Sequence, residues 1–143
     1  MRKIYEWIDA GQRGIVTDWD LEVEQQAKLD NKLQMLRRAE VDAVTGRVSL
    51  PQNLLAGPGV YGQAAIYKLK VKGNVALRPM LSLGPIDLET EWTILAGAVE
   101  RDRKLMPANA ADVAEARRQE IRANPKRRRL LWDDDDDAVD KTT

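Results

Sequence analysis

The chain has no cysteine and no histidine among its 143 residues. Without cysteine there is neither a disulfide framework nor thiol chemistry. Without histidine the commonest general base and the commonest metal ligand are both missing, and together the two absences remove the usual ligands of a zinc site. Aspartate and glutamate form no cluster with metal-ligand spacing, so no metal and no cofactor is expected. No run of ~18 apolar residues occurs, so no membrane-spanning helix is predicted. The N-terminal Met1-Arg-Lys-Ile-Tyr-Glu-Trp lacks the apolar centre of a secretory signal, and a cytoplasmic location is the expectation.

What is present is charge, unevenly spread. Lysine plus arginine equal aspartate plus glutamate, 23 each, so the formal net charge is zero. Yet residues 130–143 hold six aspartates against one lysine, a net −5, and residues 1–129 therefore carry +5. A basic body with an acidic end suggests a polyanionic partner, with the end segment competing for the same cations. A solubilising segment is the plainer alternative.

The strand-like runs lie mostly in the middle of the chain. Tyr67, Leu69 and Val71 alternate with Lys68, Lys70 and Lys72, the period of a half-buried strand. Gly73-Asn74 suits a two-residue hairpin turn. A return strand is predicted over 75–83, carrying Arg78 and interrupted by Pro79, which cannot donate to a ladder. Trp92 to Val99 reads as a central, fully buried strand. A charge on a strand must face solvent or a ligand, so the sheet is expected to have one apolar and one basic face. Residues 3–8 suit a first strand or a short helix.

Residues 18–39 read as a helix capped by Thr17, or as a helical hairpin broken near Asp30-Asn31. Trp19, Val23, Leu29, Leu33 and Leu36 fall near its apolar side. Residues 40–60 are rich in glycine and proline and read as irregular, with Leu54 and Leu55 as anchors. A charged loop over 100–107 leads to a helix from about Ala110 to Ala123, with Asn109 as its cap and Asn124-Pro125 as its stop. The expectation is an α+β fold: a small antiparallel-rich sheet, an N-terminal helix or hairpin, and a C-terminal helix. One domain is expected over 1–125, with 126–143 a basic then acidic tail, predicted disordered.

This order of elements resembles the RelE/ParE toxin superfamily, most closely its phage-derived HigB-type branch. A Leu-Pro loop before a Tyr-Glu-Leu-Arg strand is matched by Leu50-Pro51 and Tyr67-Lys68-Leu69-Lys70. A small turn and an Arg-bearing strand are matched by Gly73-Asn74 and Leu77-Arg78. An apolar strand, a Lys-Lys pair, a proline and an Ala-x-x-Arg helix are matched by residues 94–99, Arg103-Lys104, Pro107 and Ala114 to Arg117. Lys70 stands where the branch has Arg, and two acids interrupt the segment from Glu100 to Lys104.

The resemblance implies a type II toxin, a ribosome-dependent mRNA endonuclease that inhibits translation. Its partners would be mRNA, the ribosome and an antitoxin protein. The RNA 2′-hydroxyl would be the nucleophile, with Lys70, Arg78, Arg103 and Lys104 as catalytic candidates. Lys68, Lys72, Arg117, Arg118 and Arg122 are the candidates for RNA binding. Two other readings are a non-catalytic binding protein on the same fold and a gyrase-targeting toxin. The plainer alternatives are a solvated lysine face, an ion pair for Arg78 and an ordinary polar face for the helix arginines. Tyr5, Tyr61 and Tyr67 are expected in the core. The Asp133–Asp137 run could fold back on the basic surface.

Overall fold

A computed structural model describes residues 1–132. In chain order the strands are β1 (Lys3–Trp7), β2 (Leu55–Ala56), β3 (Tyr67–Leu69), β4 (Ala76–Leu77), β5 (Met80–Leu83), β6 (Glu91–Ala96), β7 (Val99–Arg101), β8 (Lys104–Met106) and β9 (Arg128–Trp132). Two helices, α1 (Val23–Arg38) and α2 (Ala110–Ala123), complete the regular structure. The main sheet has the order β2-β3-β5-β6-β1-β9, and a small second sheet has the order β4-β7-β8. Every pairing is antiparallel except β1 with β6. The fold is thus α+β with a mostly antiparallel sheet.

The apolar run after Glu91 forms β6, buried along its whole length between β5 and β1. On one face Ile4, Trp92, Ile94, Leu81 and Tyr67 meet Leu29, Leu33 and Leu36 of α1. Trp92 and Tyr67 pack edge to face with ring centres 5.0 Å apart. On the other face Met80, Leu95 and Ala96 meet Ala110, Ala114 and Ile121 of α2. Alanines on α2 let the helix lie close to the strands. The sheet therefore has two apolar faces, not one apolar and one basic. Cations are displaced to its edges and to the second sheet, because each helix already buries the face it covers.

Several local expectations are corrected. The first helix begins at Val23, where Gln25 Oε1 accepts from the Glu22 N–H at 3.1 Å. Thr17 caps nothing; its hydroxyl donates to Glu6. Val23, expected on the apolar side, is 88 % exposed because it opens the helix. The helix is continuous through Asp30-Asn31. The return strand splits at Pro79: Ala76 and Leu77 join β7, while Met80 onward stays in the main sheet. The turn around Gly73-Asn74 is wider than two residues, since the bridge before it is Val71 with Leu77. The charged loop over 100–107 is a β7–β8 hairpin.

The stretch after residue 125 differs most from expectation. Arg128–Trp132 is not the start of a tail but an edge strand on β1. It is held there by two buried carboxylates. Glu6, fully buried, accepts from Val16 N at 2.8 Å, from Thr17 N at 3.0 Å, and from Arg129 Nε and Nη2 at 3.1 and 3.0 Å. Glu91, also buried, accepts from Asp87 N and meets the Arg128 guanidinium, which lies over the Tyr5 ring at 3.9 Å. Neighbouring strand residues point to opposite faces, so consecutive arginines serve one carboxylate on each.

Replacing Arg129 by alanine leaves a buried carboxylate without its cation and should cost about 3 kcal/mol in urea unfolding. Gly14→Ala should act similarly, since a Cβ there would fall 2.2 Å from the Glu6 carboxyl carbon. An unchanged midpoint in both would refute this account of β9. A second prediction concerns alkaline pH. Burial pushes the Tyr67 phenol up to about 12, against a smaller opposing effect of Arg2. The unfolded chain ionises this tyrosine from about pH 10, so the stabilisation it provides is present below that value and is lost between about pH 10 and 12. Tyr67→Phe should flatten that limb of the stability curve.

Candidate functional site

The most exposed aromatic of the described residues is Tyr61, at 55 % of its surface. It sits in a short 3-10 turn with φ 50° and ψ 39°, a left-handed conformation costly for a side-chain-bearing residue. The chain enforces this locally. Gly59 N and Val60 N both donate to the Ile66 carbonyl, at 3.1 and 3.2 Å, and Val60 is buried. Gln63 Nε2 donates to Asp112 Oδ1 on the first turn of α2 at 2.7 Å. With both sides anchored, the tyrosine ring is thrust outward.

Across from it stands the β7–β8 hairpin. Its turn residues Asp102 and Arg103 have φ 51° and 64°, the double positive turn that strand twist favours. Glycine usually occupies such a place; here an arginine does, and it projects into solvent. Arg101, Arg103 and Lys104 are all exposed. Together with Tyr61, Leu105 and Met106 they line a hollow of about 630 Å³. From β3, Lys68 Nζ lies 3.4 Å from the Tyr61 hydroxyl and 5.3 Å from its ring centre. Four cations, one acid and an exposed ring thus share one small surface.

Only Arg103, Lys104 and Lys68 of the sequence-predicted residues gather here. Lys70 reaches across β2 and donates to the Gln52 carbonyl at 2.8 Å. Arg78 is buried; it donates to the Leu77 carbonyl at 2.9 Å and pairs with Glu100 at 3.2 Å. Lys70 and Arg78 are therefore engaged with separate protein groups, a loop carbonyl and a carboxylate. Lys72 is exposed beyond the end of β3. Arg117 donates to the Leu95 carbonyl at 2.9 Å and stacks on Trp7 at 4.0 Å, and desolvation lowers its pKa. Arg118 pairs with Glu115 at 2.7 Å, and Arg122 donates to Gln119 at 3.3 Å. These three arginines tie α2 to itself and to the sheet.

Tyr61 and Arg101 are the residues that sequence reasoning missed. Tyr61 was expected in the core; the Gly-Pro-Gly before it and Gly62 after it were the signal of a forced turn. The acidic Asp133–Asp137 run lies outside the described residues. Among the described residues no group of acidic side chains could hold a metal ion, and no helix is long and apolar enough to cross a membrane. No known protein family, curated protein or solved structure matches the chain.

The Arg78 assignment is testable. Arg78→Ala should leave the Glu100 carboxylate half-buried and unpaired, and should lower stability by about 1–2 kcal/mol. A catalytic role separate from structure would instead show lost activity at unchanged stability.

Proposed function

We propose that the protein is a toxin of the RelE/HigB type that engages single-stranded RNA at the Tyr61 hollow and cleaves ribosome-bound mRNA. One observation carries this reading: an exposed, conformationally forced tyrosine held among Lys68, Arg101, Arg103 and Lys104. A base can stack on an exposed ring regardless of sequence, and flanking cations hold the phosphates. In this reading the 2′-hydroxyl gives up its proton to solvent water as its oxygen attacks the adjacent phosphorus, an O–P bond forms, and the bond to the 5′-oxygen breaks. A 2′,3′-cyclic phosphate and a 5′-hydroxyl result. Arg101, Arg103 and Lys104 neutralise the charge gathering on the phosphate. Lys68, beside the phenol, would hand a proton to the leaving oxygen.

The binding-protein alternative has its own support. Arg78 and Lys70 are engaged with protein groups, which leaves two of the four expected catalytic residues occupied. A chain of this kind would hold RNA without cutting it.

Expression of the chain alone in a bacterium separates the readings. Growth arrest with new transcript 5′ ends inside translated frames, both lost in a Tyr61→Ala/Arg103→Ala/Lys104→Ala variant, is the expected result. Normal growth with intact transcripts, given soluble protein, would overturn the nuclease reading in favour of a binding protein. Arrest with intact transcripts would point to a protein target such as gyrase.

A further inference from the structure

We propose that Lys28 and Lys32 of α1, with Lys72, form a second phosphate-binding station, and that RNA held at the Tyr61 hollow runs along β3 to reach it. The inference rests on the RNA-binding reading of that hollow and adds a path and an endpoint.

The geometry begins with β3. Lys68 lies on it, and Lys70 and Lys72 follow beyond its end at every second residue, a spacing of about 6.5 Å in extended chain. Lys68 lies against Tyr61. Lys70, with one ammonium hydrogen on the Gln52 carbonyl, lines a middle hollow together with Arg47. Lys72 opens onto a third hollow of about 490 Å³, shared with Lys28, Lys32, Asn31, Asn53 and Leu54. Lys68 against Tyr61, Lys70 in the middle hollow and Lys72 in the third thus follow one another along the chain, roughly 13 Å from first to last in extended backbone.

The third hollow has the chemistry of a phosphate seat. Lys28 and Lys32 stand one turn apart on α1 and so share a face. Like charges at that spacing disfavour a helix, and Lys72 adds a third cation from another element. Lys28 pairs with exposed Glu24 at 3.2 Å, but Lys32 and Lys72 make no ion pair among the described residues. The amides of Asn31 and Asn53 can add neutral donors. Beyond Lys28 and Lys72 the adjoining hollow is lined by Asp20, Glu22 and Glu24. Those carboxylates would repel a phosphodiester, so the path ends at the lysines. The ammonium groups set position along the backbone and read no sequence.

The test is fluorescence anisotropy of the full chain with labelled single-stranded RNAs of about 2 nucleotides, too short to span both stations, and about 12 nucleotides, within the usual range of single-strand site sizes. Lys28→Gln/Lys32→Gln should weaken the longer RNA about tenfold at low salt and lower its salt slope by about 1.4, two phosphate contacts' worth. The shorter RNA should bind the variant as it binds the parent. Tyr61→Ala should weaken both. If the parent binds neither RNA, the RNA reading and this inference fall together. If the parent binds both and the double lysine variant is unchanged in affinity and slope, only the second station falls. Equal loss for both lengths would also overturn it, because the lysines would then be acting as a general field. Unchanged circular dichroism of the variants keeps these outcomes separate from misfolding.

Discussion

Two buried carboxylates organise the molecule. Glu6 on β1 and Glu91 on β6 lie within the only parallel strand pair among the described residues, where apolar residues would be expected. An unpaired charge at either place would cost several kcal/mol. Arg129 and Arg128, adjacent on β9, neutralise one on each side of the sheet. That requirement draws the C-terminal basic run out of solvent and into the sheet. It also recruits Val16 and Thr17, so the segment leading to α1 is fixed by the same carboxylate. A basic cluster that reads locally as a linker becomes a strand because its partners are distant in sequence and dry.

Once β9 and the two helices are in place, little of the sheet is left for a ligand. α1 and α2 bury its two faces through separate apolar clusters. The surface left open lies at the margins: the β2–β3 edge, the forced Tyr61 turn, and the hairpin of the second sheet. Pro79 contributes to this arrangement. By interrupting one predicted strand it lets Ala76–Leu77 pair with β7, and this carries the Arg101–Lys104 tip to where Tyr61 can face it. Gln63 and Asp112 fix the other half of the site to α2. The cations assigned by spacing alone divide accordingly. Those at the hairpin stay exposed, while Arg78, Arg117 and Arg118 are taken up by Glu100, by the Leu95 carbonyl with Trp7, and by Glu115.

Much of the fold was legible in the sequence. The alternation in residues 67–71 and the Asn124-Pro125 stop each reflect one local periodicity or one backbone restriction and appear where expected, whereas the apolar run after Glu91, expected as one strand to Val99, ends as β6 at Ala96 and gives Val99 to β7 in the second sheet. Leu29, Leu33 and Leu36 reach the core as their spacing requires. The site was half legible. Arg103 and Lys104 follow from a charged run between strand and helix, because solvent exposure of such a run is a local property. Tyr61 was not legible as a site residue, since a lone tyrosine beside glycines reads equally well as core.

The sequence by itself determined the α+β class, the central buried strand, the core face of α1, the limits of α2 and the basic character of the body, all of which depend on neighbours a few residues apart. The tertiary structure alone decided which cations are free. Arg78 and Lys70 look as available as Arg103 and Lys104 until Glu100 and the Gln52 carbonyl are brought to them. It alone decided that residues 128–132 form a strand, because the carboxylate opposite Arg129 lies 123 positions away in the chain. Charge availability is a property of burial and partners, and neither is fixed until the chain has closed on itself.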